Sequence, residues 1–163
     1  MEYIFSAIFL YFFLGILLFT FQRRIIFNKS GHPGSPKDYN LINTREIFIH
    51  TNDKIDLLSW YHLGDPNLPL LVYFHGNSFH IGDRAYRIDK YIKKNWSVLL
   101  VSWRGFGGNN GNPTEKNFYM DGESVLKWIK KNTEFNFDQI VIYGESLGSG
   151  VAVELGTRYK FLS

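Results

Sequence analysis

Cysteine is absent from the 163 residues. That excludes a disulfide framework, a thiol nucleophile and a zinc ribbon. A strong net charge is missing as well, since 18 Lys and Arg against 15 Asp and Glu leave only +3. Even that surplus is local. Residues 1–41 hold four basic and two acidic groups, whereas residues 42–163 hold fourteen and thirteen. A nucleic-acid binder presents a far larger basic face, so no nucleic-acid partner is expected. What the chain does have is apolar mass, 45% of its residues with 18% aromatic. At this length that suits one domain of ordinary size rather than a disordered chain.

A second absence is positional: no charged residue occurs between Tyr3 and Gln22. Twenty helical residues rising about 1.5 Å each span roughly 30 Å, the thickness of a bilayer's hydrocarbon core. The run is apolar on every face, unlike an amphipathic surface helix. It also lacks the basic start and small-residue cleavage site of a signal peptide. Glu2 precedes it, while Arg23, Arg24, Lys29 and Lys37 follow. The positive-inside rule then favours an uncleaved, single-pass anchor with its C-terminal side in the cytoplasm and the lipid bilayer as partner through residues 3–22. The alternative is a buried core helix. Residues 1–22 are taken as the anchor and 23–39 as a connector whose prolines and glycines break any helix. Residues 40–163 are taken as the globular part.

In that part, Glu46–Thr51 and Asp56–Leu63 are short strand candidates. Leu70–Phe74, Val98–Trp103 and Gln139–Tyr143 are continuous β-branched and aromatic runs of the kind that fill a sheet covered on both faces. Helical patterns lie at Asp83–Asn95, at Glu115–Asn132 and after Ser146 to about Tyr159. The alternation implies an α/β fold with a mostly parallel sheet and helices on both faces. Ligands of such sheets gather at the carboxyl ends of the strands, here after Phe74, Trp103 and Tyr143.

After the last strand stands Gly144-Glu145-Ser146-Leu147-Gly148, a G-x-S-x-G. Between a buried strand and a helix, its glycines permit a sharp turn that exposes the serine as a nucleophile. The plainer alternative is a serine that caps the helix. After the earlier strand comes His75-Gly76-Asn77, which aims a backbone amide at the serine, so the N–H groups of Asn77 and Leu147 form a candidate oxyanion hole. His75 itself is read as a packed imidazole that supports the loop, not as the general base. In the glycine-rich loop after Trp103, no Lys-Ser/Thr pair follows, so it is not a P-loop. There Arg104 either ties neighbouring loops together or touches substrate. Neither a metal nor a cofactor is expected.

These motifs, with Phe21-Gln22-Arg23-Arg24-Ile25-Ile26-Phe27 at the end of the anchor and Gly111-Asn112-Pro113-Thr114-Glu115 in the third loop, resemble the alpha/beta-hydrolase superfamily. The likeness is greatest to its membrane-anchored branch of bud-emergence proteins and protein depalmitoylases. Two departures fall in loops: Asn109 stands where that branch commonly has serine, and Lys54 where it has glycine. The resemblance implies a serine hydrolase acting on esters or thioesters, with Ser146 as nucleophile.

In that superfamily the serine is followed by an Asp or Glu and then a His. After Ser146 this chain holds no histidine and no aspartate, and all five histidines (His32, His50, His62, His75, His80) precede it. The resemblance also implies three further strands, without which Gln139–Tyr143 is an exposed edge. The expectation is an N-terminal portion of a hydrolase, a truncated copy inactive alone, with room for a complementing C-terminal chain that supplies Asp and His. The alternative is a non-enzymatic, membrane-anchored binding protein that retains the fold.

Overall fold

The computed structural model describes residues 2–27 and 31–162. Lys29, counted above in the basic flank, and Ser163, the last residue of the expected domain, lie outside the described residues.

Helix α1 spans Glu2–Ile26. Its apolar side chains face outward all round and none of its residues is buried, so it is not a core helix of this fold. Among the described residues it is the one helix long and apolar enough to cross a membrane. It continues through Arg23–Ile26, residues expected in the connector, because nothing before Phe27 breaks the i to i−4 ladder. The connector is not wholly irregular either. Pro36–Tyr39 forms one short 3-10 turn, entered through Ser35, where proline's fixed φ suits a helix start.

Five strands follow: β1 (Thr44–His50), β2 (Asp56–His62), β3 (Leu70–Phe74), β4 (Ser97–Val101) and β5 (Ile140–Gly144). They form one sheet in the order β1-β2-β4-β3-β5. β2 pairs antiparallel with both β1 and β4, while β3 pairs parallel with β4 and β5. Four strands therefore share one direction and β2 alone runs against them. The observed fourth strand ends at Val101, earlier than the expected Trp103. There Ser102 and Trp103 turn away to open the glycine-rich loop.

The helices are α2 (Ala85–Ile92), α3 (Glu115–Asn132) and α4 (Leu147–Arg158). Helix α3 matches its expected bounds, and Thr114 caps it by accepting from the Asn117 N–H at 3.2 Å. The helix expected from Asp83 begins instead as a 3-10 turn, Ile81–Arg84, before α2. Strand alternation divides the interior into two apolar layers. Leu70, Val72, Phe74, Leu99 and Val101 pack with Phe118, Val125, Ile129, Val151 and Leu155 under α3 and α4. Leu71, Tyr73, Val98 and Leu100 pack with Ile81, Ala85 and Ile88 under α2. This three-layer arrangement leaves the carboxyl ends of β3, β4 and β5 side by side. β5 forms one edge of the sheet, touched at its start by the Leu162 N–H, which donates to the Ile140 carbonyl at 3.0 Å.

Candidate active site

Ser146 occupies the turn from β5 into α4 with φ 49° and ψ −111°. A residue with a Cβ seldom adopts positive φ, and where one does the surroundings must hold it there. Two close approaches do so. A Cβ on Gly148 would fall 2.1 Å from the Phe74 carbonyl oxygen, so only glycine lets α4 press against the end of β3. The Glu145 N–H donates to that same oxygen at 2.9 Å. Ser146 is exposed, and its hydroxyl does not cap α4, which removes the capping alternative. Ser149 Oγ instead donates to the Ser146 carbonyl at 2.5 Å.

The loop after β3 lies directly beside the serine. A Cβ on Gly76 would stand 3.3 Å from Ser146 Cβ and 3.4 Å from the Glu145 carbonyl. Leu147 is the first residue of α4, so its N–H has no partner within the helix. The amide of Asn77 follows Gly76, and its direction is governed by the neighbouring carbonyl because the peptide unit is planar.

That carbonyl is held by His75. The imidazole is fully buried. Its Nδ1 lies 2.6 Å from the Gly76 oxygen and its Nε2 3.4 Å from the Trp103 N–H. A carbonyl can only accept and an N–H only donate, so the ring is the neutral tautomer with Nδ1–H. Burial, with the nearby Arg84 charge, pushes its pKa down to about 3. Trp103 Nε1 donates to the His75 carbonyl at 2.8 Å, and the indole stacks on Phe74. His75 thus holds the loop and has no free nitrogen for proton transfer.

Glu145, placed in the turn only by the motif, has partners that the sequence did not indicate. Tyr73 Oη donates to it at 2.7 Å and Arg84 Nη2 at 3.1 Å, while Arg84 Nη1 donates to the Ser78 carbonyl at 2.8 Å. One guanidinium therefore joins the serine's turn to the loop after β3. Burial works against the Glu145 charge, but the Tyr73 and Arg84 donors outweigh it and hold its carboxyl below the usual range.

Arg104 is buried and its guanidinium is spent inside the protein. Its Nε and Nη2 donate to Asp121 at 2.8 and 2.6 Å, and its Nη1 and Nη2 to Asp53 at 2.7 and 3.1 Å. Of the two readings of Arg104, the loop tie is the one the geometry carries. Asp121 was not singled out from the sequence, although a signal was present: it follows Phe118 by three residues on the stripe that α3 buries. Burial lifts its carboxyl to about 6 against the pull of Arg104. The Arg104 donors hold the more exposed Asp53 down at about 2. Asn109, one of the two departures, donates to the Ser102 and Trp103 carbonyls and accepts from the Leu58 N–H, work a serine hydroxyl cannot do alone. Among the described residues no group of three or more His, Asp or Glu is placed to hold a metal ion.

Comparisons with known proteins find relatives over most of this chain. Over 152 residues the chain is 30% identical to Protein bem46 of Schizosaccharomyces pombe, covering 86% of this chain and 50% of that one. Over 149 residues it is 29% identical to an alpha/beta hydrolase domain-containing protein of Arabidopsis thaliana, with coverages of 85% and 48%. It is 24% identical over 151 residues to an uncharacterized membrane protein of Saccharomyces cerevisiae, covering 89% and 53%. Among solved structures, a Pyrococcus furiosus esterase superposes with a TM-score of 0.66 at 24% identity, over 78% of this chain and 51% of the esterase. That last likeness concerns the fold alone. No protein-family model matches the chain. The chain spans about half the length of the curated relatives it matches.

Proposed function

Because the chain belongs to the alpha/beta-hydrolase superfamily, we propose that Ser146 is the nucleophile of a membrane-anchored serine hydrolase that cleaves carboxylic esters or thioesters. The observation that carries this is the backbone of Ser146: a strained, exposed serine whose hydroxyl serves no helix cap, at a strand-to-helix turn beside Gly76.

The chemistry is acyl transfer. Ser146 Oγ attacks the substrate carbonyl, and the N–H groups of Asn77 and Leu147 receive the oxyanion that develops. His75 contributes by position, since its bond to the Gly76 carbonyl orients the Asn77 amide. Departure of the alcohol or thiol leaves an acyl-enzyme, which water then cleaves. Deprotonation of Ser146 needs an imidazole oriented by a carboxylate. No histidine follows Ser146 in these 163 residues, and His75 is neutral and fully engaged. On this reading the base and its acid come from polypeptide outside them.

Helix α1 supplies the anchor, with Arg23, Arg24 and Lys37 favouring a catalytic domain on the cytoplasmic side. A second reading, in which the fold is kept for binding alone, draws on the engagement of His75, the histidine of the loop beside the serine, at both ring nitrogens. Ester and thioester turnover by the native protein from membranes of its source, compared with a Ser146→Ala form, separates the two. Turnover lost in the variant supports the hydrolase, and equal turnover overturns Ser146 as nucleophile. No turnover in either form favours binding.

A further inference from the structure

The loop that carries the oxyanion amide also holds the end of the membrane helix. Asn77 Nδ2 donates to the carbonyl of Ile26, the last residue of α1, at 2.8 Å. Next along the chain, Phe27 packs edge-on against Phe106 and Phe118 beneath the site. The charge-free run stops at Gln22, so Arg23 and Arg24 mark the headgroup level. Ile26 lies about 4.5 Å beyond Arg23 along the helix axis. Asn77 is therefore held within roughly one helical turn of the bilayer surface.

Two residues later stands Phe79. Its Cα can be no more than about 7 Å from that of Asn77, and its side chain reaches further still. The residue is 52% exposed, and its φ is 61°. A bulky residue at positive φ costs free energy that its surroundings must offset. Here that strain is spent on an aromatic ring left in the open. Among the described residues neither the strain nor the exposure serves the core, and both occur two residues from the Asn77 bond to the end of the span.

We infer that the loop from Gly76 to His80 rests on the bilayer and that the Phe79 ring inserts at the headgroup boundary, where aromatic side chains are favoured. The occupant of this surface is lipid because the loop is continuous with the span through the Asn77–Ile26 bond. Arg84 then links the docked loop to the serine's turn through Ser78 and Glu145, so bilayer contact and oxyanion-loop geometry are joined by hydrogen bonds. The inference rests on α1 as a span but not on catalysis.

The absence of cysteine makes the test direct. Single nitroxide labels are placed at Phe79→Cys, Phe12→Cys and Leu63→Cys in the 163-residue chain, reconstituted in vesicles of phosphatidylcholine and phosphatidylglycerol. Collision with oxygen is compared with collision with a water-soluble nickel chelate. Leu63 follows β2, whose end pairs with the start of β4, so it marks the end of the sheet far from the site. The expected oxygen-to-nickel ratio at position 79 is several-fold above that at 63 and approaches that at 12. A ratio at 79 equal to that at 63, with position 12 in lipid, overturns the docking and leaves the span standing. Dipolar broadening at 79 without lipid exposure assigns the ring to a second copy and also overturns it. An aqueous label at 12 removes the span and this inference together. If circular dichroism shows that the Phe79→Cys chain is misfolded, the near-isosteric Ser78→Cys carries the same probe, with the same expected and contrary results.

Discussion

A Cβ added to Gly76 would lie 3.3 Å from the Cβ of Ser146, so the ends of β3 and β5 touch at the two residues the proposed chemistry needs together. Gly76→Ala must open that contact by a few tenths of an ångström without unfolding either strand. Displacing the Asn77 amide by that much is expected to lower kcat about tenfold with KM little changed. Steady-state kinetics on the native protein checks this, and a change confined to KM argues against the oxyanion role.

Ser146→Gly is expected to stabilise the fold while abolishing turnover. Removing the Cβ relieves strain of about 1–3 kcal/mol at positive φ, and glycine's greater freedom in the unfolded chain takes back about 0.5–1 kcal/mol. Urea unfolding of the variant should therefore show a net gain of about 1 kcal/mol.

Gly148 and Gly150 sit on the same helix with opposite needs. A Cβ at Gly148 meets the Phe74 carbonyl oxygen at 2.1 Å, whereas at Gly150 nothing lies within 4 Å. Gly148→Ala is expected to cost about 3 kcal/mol or more by forcing α4 off β3. Gly150→Ala should gain about 0.5–1 kcal/mol from helix propensity. Thermal unfolding of the two variants separates them by sign.

How far the sequence reached can be judged from particular residues. The runs Leu70–Phe74 and Glu115–Asn132 coincide with β3 and α3 because each keeps one pattern throughout and starts just after a proline, Pro69 or Pro113. The Ser146 turn was legible because its strand, glycines and helix are contiguous. Lys54, noted for standing in place of glycine, has φ 62°, so the departure marks a left-handed position that a lysine now occupies. The bonds joining Arg104 to Asp53 and Asp121, and Arg84 to Glu145, were not legible. Each joins residues far apart in the chain, where no periodicity records the pairing. The Asn77–Ile26 bond was hidden for the same reason.

The buried Arg104–Asp121 pair predicts a pH dependence. Arg104→Ala leaves Asp121 buried without its partner, an expected loss of about 3–5 kcal/mol near pH 8. Asp121 already has a folded-state pKa raised to about 6 from 3.8. Without Arg104 that value rises further, so the variant's added penalty is fully present above its own folded pKa and fades as its carboxyl takes up a proton. The Asp121 share of the variant's deficit should therefore shrink as pH falls from 8 to about 6, below which the carboxyl is increasingly protonated in both chains. Asp53, lowered to about 2, behaves oppositely. In the parent chain its stabilisation is present above about pH 4 and is lost between about pH 4 and 2, and in the variant that acid loss should be largely gone. Denaturant titrations across this range test both, and a deficit independent of pH contradicts the assignment.

The most direct measurement is covalent labelling of the native protein, in membranes from its source, with a fluorophosphonate, followed by peptide mass spectrometry. The expected result is phosphonylation on the peptide that contains Ser146 and its loss in Ser146→Ala. Label at another serine, or none at Ser146 where a control hydrolase in the same membranes reacts, would contradict the claim that this serine is the nucleophile.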